Sequence, residues 1–285
     1  MVVLSTDTTI AILADMHSGG TTALFPNKFW QFKHKNHTPT KQDMEMFGHF
    51  KKCAELIGAR RKGKRLIVVH DGDAIEGWHH NSQQIHTANK DEQAEIHVEL
   101  MDYFLNKIKF GKGDKLYYIN GTETHTGEKE DKIAEYLKAQ KNPEGGRVFD
   151  HLSLNINGRT IWFAHHGKGR GTGANEGNGL IILLRNIYFD NLKRGLASPD
   201  MIITGHTHTP AYSVFTVRER ENFRMMHAII APSWQRKTRY GYKAAPVEVN
   251  EIGAVTFDIS RSGEISQPKF ILMQTGVTAV NSDAI

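Results

Sequence analysis

The sequence predicts an α/β fold in which two mixed β-sheets pack together and helices flank them, and three observations predict it. Short β-prone runs at 9–14, 66–70, 116–119, 160–164 and 201–204 each end where Asp, His or Gly begins to appear, the pattern of strands bounded by polar and turn residues. Between them, 43–57, 91–108 and 128–139 place apolar side chains at helical spacing, as Ile96, Leu100, Phe104 and Ile108 do, so each segment has one face to bury. Beyond residue 210 the helices stop, and 211–217, 223–230 and 254–259 follow one another as strands. Alternating strands and helices imply an α/β sheet. The helix-free stretch predicts a second, more antiparallel sheet packed on the first.

The 285 residues, 39% hydrophobic and 24% charged, suffice for one continuous core. The expectation is a single domain over 1–285 with inserted loops near 18–40 and 167–179 and a β-rich C-terminal part. No fixed-period repeat is present, which disfavours solenoids and propellers. The N-terminus lacks a basic leader, and no apolar run approaches the ~18 residues of a membrane span, so a soluble, cytoplasmic protein is expected, without a membrane partner. A net charge of +5 favours anionic partners.

Taken in order, residues 29–35 bring Phe29, Trp30 and Phe32 before Lys33, His34 and Lys35; core packing of the aromatics is expected over a rim that stacks on a base. The helical stretch 43–57 aligns Met46, Phe50, Cys53 and Ile57 on one face. Cys53 is the only cysteine, so an internal disulfide and a thiolate-rich zinc site are excluded, and a buried structural role is expected for it. Arg60, Arg61, Lys62, Lys64 and Arg65 read equally as a solvated turn and as a phosphate-contacting patch. The glycine-rich run 167–179 has neither the ending of a phosphate-cradling loop nor a G-x-G-x-x-G unit. It reads as a mobile loop beside a site or as a connection to the helical stretch near 180–192. Arg236, Lys237, Arg239 and Lys243, interleaved with Trp234, Tyr240 and Tyr242, suit a stacked, charged ligand and equally a half-buried strand.

Five segments deliver oxygen or imidazole groups just after a predicted strand. They are Asp15 with His17, Gly72-Asp73, Gly121-Thr122-Glu123-Thr124-His125, His165-His166-Gly167 and Gly205-His206-Thr207-His208. Imidazole and carboxylate together suit Zn, Mn, Fe or Ni, and the lack of thiolates turns away from structural zinc. Strand ends line up in a sheet, so segments distant in sequence can converge on one edge. The bland alternatives are turn or helix capping for Asp15 and Asp73 and simple surface exposure for His206 and His208.

In this order the segments resemble the motifs of the calcineurin-like metallophosphoesterase family, D-x-H, G-D, G-N-H, H-G and G-H-x-H. Four of the five match, over roughly residues 10–210, and the spelling of the third to fifth looks like phage and prophage variants. The resemblance implies a four-layer α/β/β/α sandwich and two divalent metal ions. Asp15, His17 and His208 would hold one ion and His166 and His206 the other, with Asp73 bridging through its two oxygens. His166 is preferred to His165 because it immediately precedes the glycine. Such ions acidify a water for in-line attack at phosphorus; manganese is expected, with Zn, Fe or Ni as alternatives. The third motif departs from the pattern. Glu123 is expected to supply an oxygen there, with Thr122 the alternative, and His125 is expected to be the general acid. Near Asp73, Glu76, His79 and His80 stand close to the presumed bridge; His80, with Arg170 of the glycine-rich run, is the expected substrate contact.

The function expected is hydrolysis of phosphodiester bonds in a nucleic acid, DNA or RNA. The alternatives are a phosphatase or cyclic-nucleotide phosphodiesterase acting on a small molecule, and a catalytically inactive binding protein that kept the fold. Homo-oligomerisation is left open.

Overall fold

The computed structural model describes residues 6–78, 84–171, 173–239 and 250–275. Its central strand, β1 (Thr8–Leu13), is buried along its whole length because both of its faces are covered. Ala11 and Leu13 pack under helices, while Ile10 and Ile12 face a second sheet, as the period-two alternation of a strand requires. Parallel to β1 runs β4 (Arg65–Asp71), then β5 (Lys115–Ile119) and the short β6 (Val148–Phe149). On its other side β12 (Asn250–Ile259) is antiparallel to β1 and pairs with β13 (Lys269–Thr275). The first sheet therefore has the order β13-β12-β1-β4-β5-β6. The second contains β7 (Leu152–Ile156), β8 (Arg159–Phe163), β9 (Met201–Thr204), β10 (Ala211–Glu219) and β11 (Asn222–Ile230) in the order β10-β11-β9-β8-β7.

Three apolar clusters define four layers. Helices α1 (Lys41–Arg60), α2 (Lys90–Lys107) and α3 (Lys129–Tyr136) cover the outer face of the first sheet with Phe50, Leu100, Phe104 and Ile133. Between the sheets lie Val69, Ile119, Ile161, Phe163, Ile203 and Phe257. Helix α4 (Asn178–Lys193) covers the second sheet with Leu180, Leu184 and Tyr188. The order is α/β/β/α. Helix α1 opens on a reciprocal capping box between Thr40 and Asp43, which satisfies donors that a helix start leaves open.

One assignment of strands to sheets is corrected. The run 254–259 belongs to the first sheet, and 160–164 and 201–204 belong to the second. Both sheets contribute to the same apolar layer, so alternation alone does not tell which sheet owns a strand. Residues 252–259 are apolar on both faces, with Ile252 and Ala254 toward the helices and Val255 and Phe257 toward the second sheet, and a place beside β1 buries both. The stretch 18–40, expected as an inserted loop, is mostly irregular and packs onto the domain. It carries the two-residue pair β2 (Trp30–Gln31) and β3 (Asn36–His37), and Leu24, Phe25 and Phe32 are buried in it. The aromatics pack as expected except Phe29, which is exposed. Cys53 is buried against the Ile271 carbonyl, and burial pushes its thiol up to about 12.

The basic cluster ahead of β4 is a strut, and the phosphate-patch reading of it is set aside. Arg60 and Lys64 both reach Asp258, at 3.0 and 2.9 Å, and Arg61 grips Asp114 with two nitrogens at 2.7 and 3.0 Å. These residues precede a strand whose ligand-bearing loop lies at its other end, about 20 Å away at strand rise. Asp114 also accepts from the Leu66 and Gly111 amides. Its replacement by Ala takes the carboxylate from a half-buried guanidinium and the acceptor from two amides, so Asp114→Ala is expected to cost about 2–4 kcal/mol in urea unfolding. A loss below about 1 kcal/mol would sink the strut.

Candidate metal centre

The centre begins where two loops run side by side. The Asp15 amide donates to the Gly72 carbonyl at 3.0 Å, His17 to Asp73 at 2.9 Å and Ser18 to Ala74 at 3.0 Å. The loop after β1 is thereby registered on the loop after β4. This geometry forces Asp15, His17 and Asp73 into the left-handed region, with φ of 50°, 44° and 53°, and His206 and His208 follow at 68° and 55°. Nine non-glycine residues have positive φ among the described residues, and five are these candidate ligands. Each costs roughly 1–2 kcal/mol, and such strain collects at functional sites. The glycine before Asp73 has a steric reason. Gly72 has φ +82°, and a Cβ there would run into the His165 imidazole. A Cβ on Gly121 would strike Asp73 itself.

Two groups of side chains result. His17 Nε2 lies 3.1 Å from His208 Nε2, and His208 Nε2 lies 3.2 Å from Asp15 Oδ1. The ligating atoms of His165, His166 and His206 gather in a second group, and Asp15, Asp73 and His165 in a third that joins the two. Asp73 Oδ2 stands between them, 3.7 Å from His17 Nε2 and 3.1 Å from His165 Nε2. The first group is mostly buried, whereas His166 and His206 are exposed, so the second group opens on the surface.

Neighbours outside the two groups orient them. Glu76 Oε2 lies 3.0 Å from His17 Nδ1 and accepts from Gln235 Nε2 at 2.6 Å, while the Glu76 carbonyl takes His125 Nδ1 at 2.7 Å. One residue thus aims two imidazoles. Glu130, buried in α3, accepts the Ala74 and Gly121 amides at 3.0 and 2.7 Å and so ties the loop after β4 to the loop after β5. Burial dominates its titration and lifts it to about 7. His165 Nδ1 bonds the Asp71 carbonyl at 2.7 Å, which leaves Nε2 aimed at Asp73. Carboxylate and carbonyl partners of this kind fix the tautomer that a metal needs.

The donors fit a divalent cation. With Nδ1–H given to Glu76, His17 presents a lone pair to Asp15, Asp73 and His208, an arrangement of acceptors that positive charge must resolve. The titration says the same. Burial would lower His17, but Glu76, followed by Asp73 and Asp15, outweighs it and lifts the imidazole to about 9. His165 is lifted to about 10 by Asp73 and Asp15 against burial. Burial opposes ionisation of Asp15 and Asp73 as well, yet the imidazoles hold both below the usual carboxylate range. His125 is lowered, by burial first and His17 second.

Of the residues expected from sequence, Asp15, His17, Asp73, His166, His206 and His208 come together, and His125 stands beside His17 with ring centroids 4.7 Å apart. Glu123 does not join them; it is exposed and belongs to none of the groups. Thr122 takes the place instead. Its amide donates to Asp73 Oδ1 at 2.6 Å, and its hydroxyl lies 3.3 Å from Asp73 Oδ2 and 3.5 Å from both His166 and His206. Arg170 pairs with Glu176 of its own loop at 3.5 Å, and His80 lies outside the described residues. His165, which the expected set leaves out in favour of His166, joins it in the same group. Counting from Ile161 and Phe163, which face the inter-sheet layer, alternation sends His165 inward and His166 outward, a signal that was there to use.

No family model matches the chain, and no curated protein does. Among solved structures it is similar to an NAD nucleotidase of Haemophilus influenzae, at 13% identity and a TM-score of 0.40, covering 96% of this chain and 54% of that one. This chain thus spans about half the length of that nucleotidase. It is similar also to a phosphatase of Mycoplasma pneumoniae, at 10% identity, TM-score 0.39, covering 95% and 94% of the two chains. A metallophosphoesterase of Sphaerobacter thermophilus follows at 11% identity, TM-score 0.32, with 95% and 89% covered.

The raised imidazoles make metal uptake a proton exchange. His17 and His165 carry protons at pH 7 in the metal-free protein, so titration calorimetry in two buffers is expected to show proton release, with affinity rising as pH climbs toward about 9 and 10. Their folded values exceed the unfolded 6.5. The stability they confer on the metal-free protein is therefore full below pH 6.5 and lost as pH rises through about 9 to 10. A metal-free Tm that rises over that window would contradict this. Glu76→Ala is expected to weaken divalent-ion binding about 10–100-fold in the same calorimeter; unchanged affinity would deny Glu76 its orienting role.

Proposed function

We propose that this chain is a metal-dependent phosphoester hydrolase that cleaves phosphodiester bonds. The observation that carries the reading is the pair of imidazole groups with the Asp73 carboxylate between them. Asp15, His17 and His208 would hold one ion, and His166 and His206, with His165 now beside them, the other; manganese is the ion we propose, from the family resemblance. Ions held there supply Lewis acidity toward phosphoryl oxygens and lower the pKa of water. The chain's own residues do the rest. Asp15 and Asp73 stay ionised, Glu76 and the Asp71 carbonyl keep His17 and His165 in the ligating tautomer, and the Thr122 amide steadies the Asp73 oxygen that faces it. His125, held through Nδ1 by the Glu76 carbonyl, would return a proton from Nε2 to the leaving oxygen in its imidazolium form, which its lowered titration favours on the acid side of neutrality. The exposure of His166 and His206 gives a polymer access, and nucleic acid is the diester we propose. The phage-like spelling of the motifs supports this reading and nothing finer.

The test is hydrolysis of bis-p-nitrophenyl phosphate against p-nitrophenyl phosphate, with manganese and after chelation. Diester cleavage is expected to need metal and to fall to background in Asp73→Ala. In His125→Ala it is expected to fall by no more than about tenfold, because a nitrophenolate hardly needs the proton, whereas an alkoxide leaving group should lose about 10²–10⁴. Absence of activity with Mn, Zn, Ni, Fe and Mg in folded protein would refute the proposal.

A further inference from the structure

A cavity of about 280 Å³ is lined by Thr22, Gln42, Gln84, Arg236, Lys237, Arg239 and Thr275. Three of these residues are cations, four are neutral hydrogen-bonding groups, and none is a carboxylate. The contrast with the strut before β4 is informative. There Arg60, Arg61 and Lys64 are each matched to an aspartate; here Arg236 and Arg239 have no acidic partner among the described residues. Their backbone is nevertheless fixed. The Arg236 amide donates to the Thr22 carbonyl at 2.8 Å, and the Arg239 amide donates to Gln84 Oε1 at 2.9 Å. Arg236 and Arg239, cations held on an ordered segment without an acidic partner among the described residues, form a site for a polyanion.

The segment that carries them is also part of the metal centre's frame. The Trp234 amide donates to the Asp15 carbonyl at 3.0 Å, and Gln235 grips Glu76, the carboxylate that orients His17. Arg236 is the next residue. On the other wall Thr22 is five residues beyond His17, at most about 18 Å along an extended chain. A strand whose scissile diester lay at the centre would bring neighbouring phosphates within reach of this groove.

We propose that the groove binds the backbone phosphates of a nucleic-acid strand that flank the scissile diester. The inference rests on the diester-hydrolase reading above and assigns that site its substrate class by charge, with no base-specific contact required.

The experiment pairs two measurements on the wild type and on Arg236→Ala/Arg239→Ala. Anisotropy of a fluorescein-labelled oligothymidylate, in EDTA and across a salt series, reads the groove; hydrolysis of bis-p-nitrophenyl phosphate, too small to reach it, reads the centre. Each lost phosphate contact on a single strand removes about 0.7 from the slope of log affinity against log salt. The double variant should therefore lose about 1.4 in slope and, with the two affinities converging at about 1 M salt, bind about 25-fold more weakly than the wild type at about 0.1 M, with bis-p-nitrophenyl phosphate hydrolysis unchanged. Arg236→Lys/Arg239→Lys keeps the charge and should keep the slope. Equal slopes in wild type and alanine variant overturn the groove, as does a wild type that hydrolyses the small diester but binds no oligonucleotide; the centre then serves a small molecule. Oligonucleotide binding that depends on the two arginines without any diester hydrolysis supports the groove and refutes the hydrolase instead.

Discussion

The register between the loop after β1 and the loop after β4 is the constraint on which the centre depends. Three backbone hydrogen bonds from Asp15, His17 and Ser18 to Gly72, Asp73 and Ala74 join two parallel strands beyond the end of their ladder. Because the join is made by main chain, the side chains are left over for chemistry. It also explains the unusual backbone: a polar residue turned to φ near +50° points its side chain to the side opposite the one an extended chain would give it. The strain is tolerated because the join, the Glu130 carboxylate and the Asp15 contacts to the His206 amide over-determine the conformation.

A second consequence concerns charge. Two aspartates and several imidazoles at the edge of an apolar layer would be costly without compensation. The compensation is reciprocal: carboxylates raise His17 and His165, and the imidazoles hold Asp15 and Asp73 ionised. In the absence of metal, protons occupy the role that cations fill when bound. The centre is thus prepared for positive charge before any ion arrives.

Much of this was legible in the sequence because chemistry and secondary structure coincide. Strands that end in Asp-x-His, Gly-Asp and Gly-His-x-His announce both their termini and their candidate ligands, and helices such as α2 announce themselves by period. Two kinds of information were not local. Which residue of Gly121-Thr122-Glu123 faces inward depends on the turn closed by the His125 amide on the Thr122 carbonyl, and that turn sends Glu123 to solvent. Which sheet owns the 254–259 run depends on a partner at the opposite end of the chain. The role of Glu76 is not local either, since it becomes visible only when Gln235, 159 positions later, is brought against it.

The antiparallel pairing of β12 with β1 joins Thr8 to Ile259, and closing a loop of that length carries an entropy cost of about 5 kcal/mol. During synthesis β1 can pair with β4 early, but its other edge waits until β12 has left the ribosome, and such waiting exposes an unpaired strand edge that invites aggregation or chaperone binding. The same ordering governs the centre. Asp15 and His17 leave the ribosome long before His206 and His208, so a nascent chain holds only fragments of its centre, and the full set of side chains assembles only once the second sheet has docked.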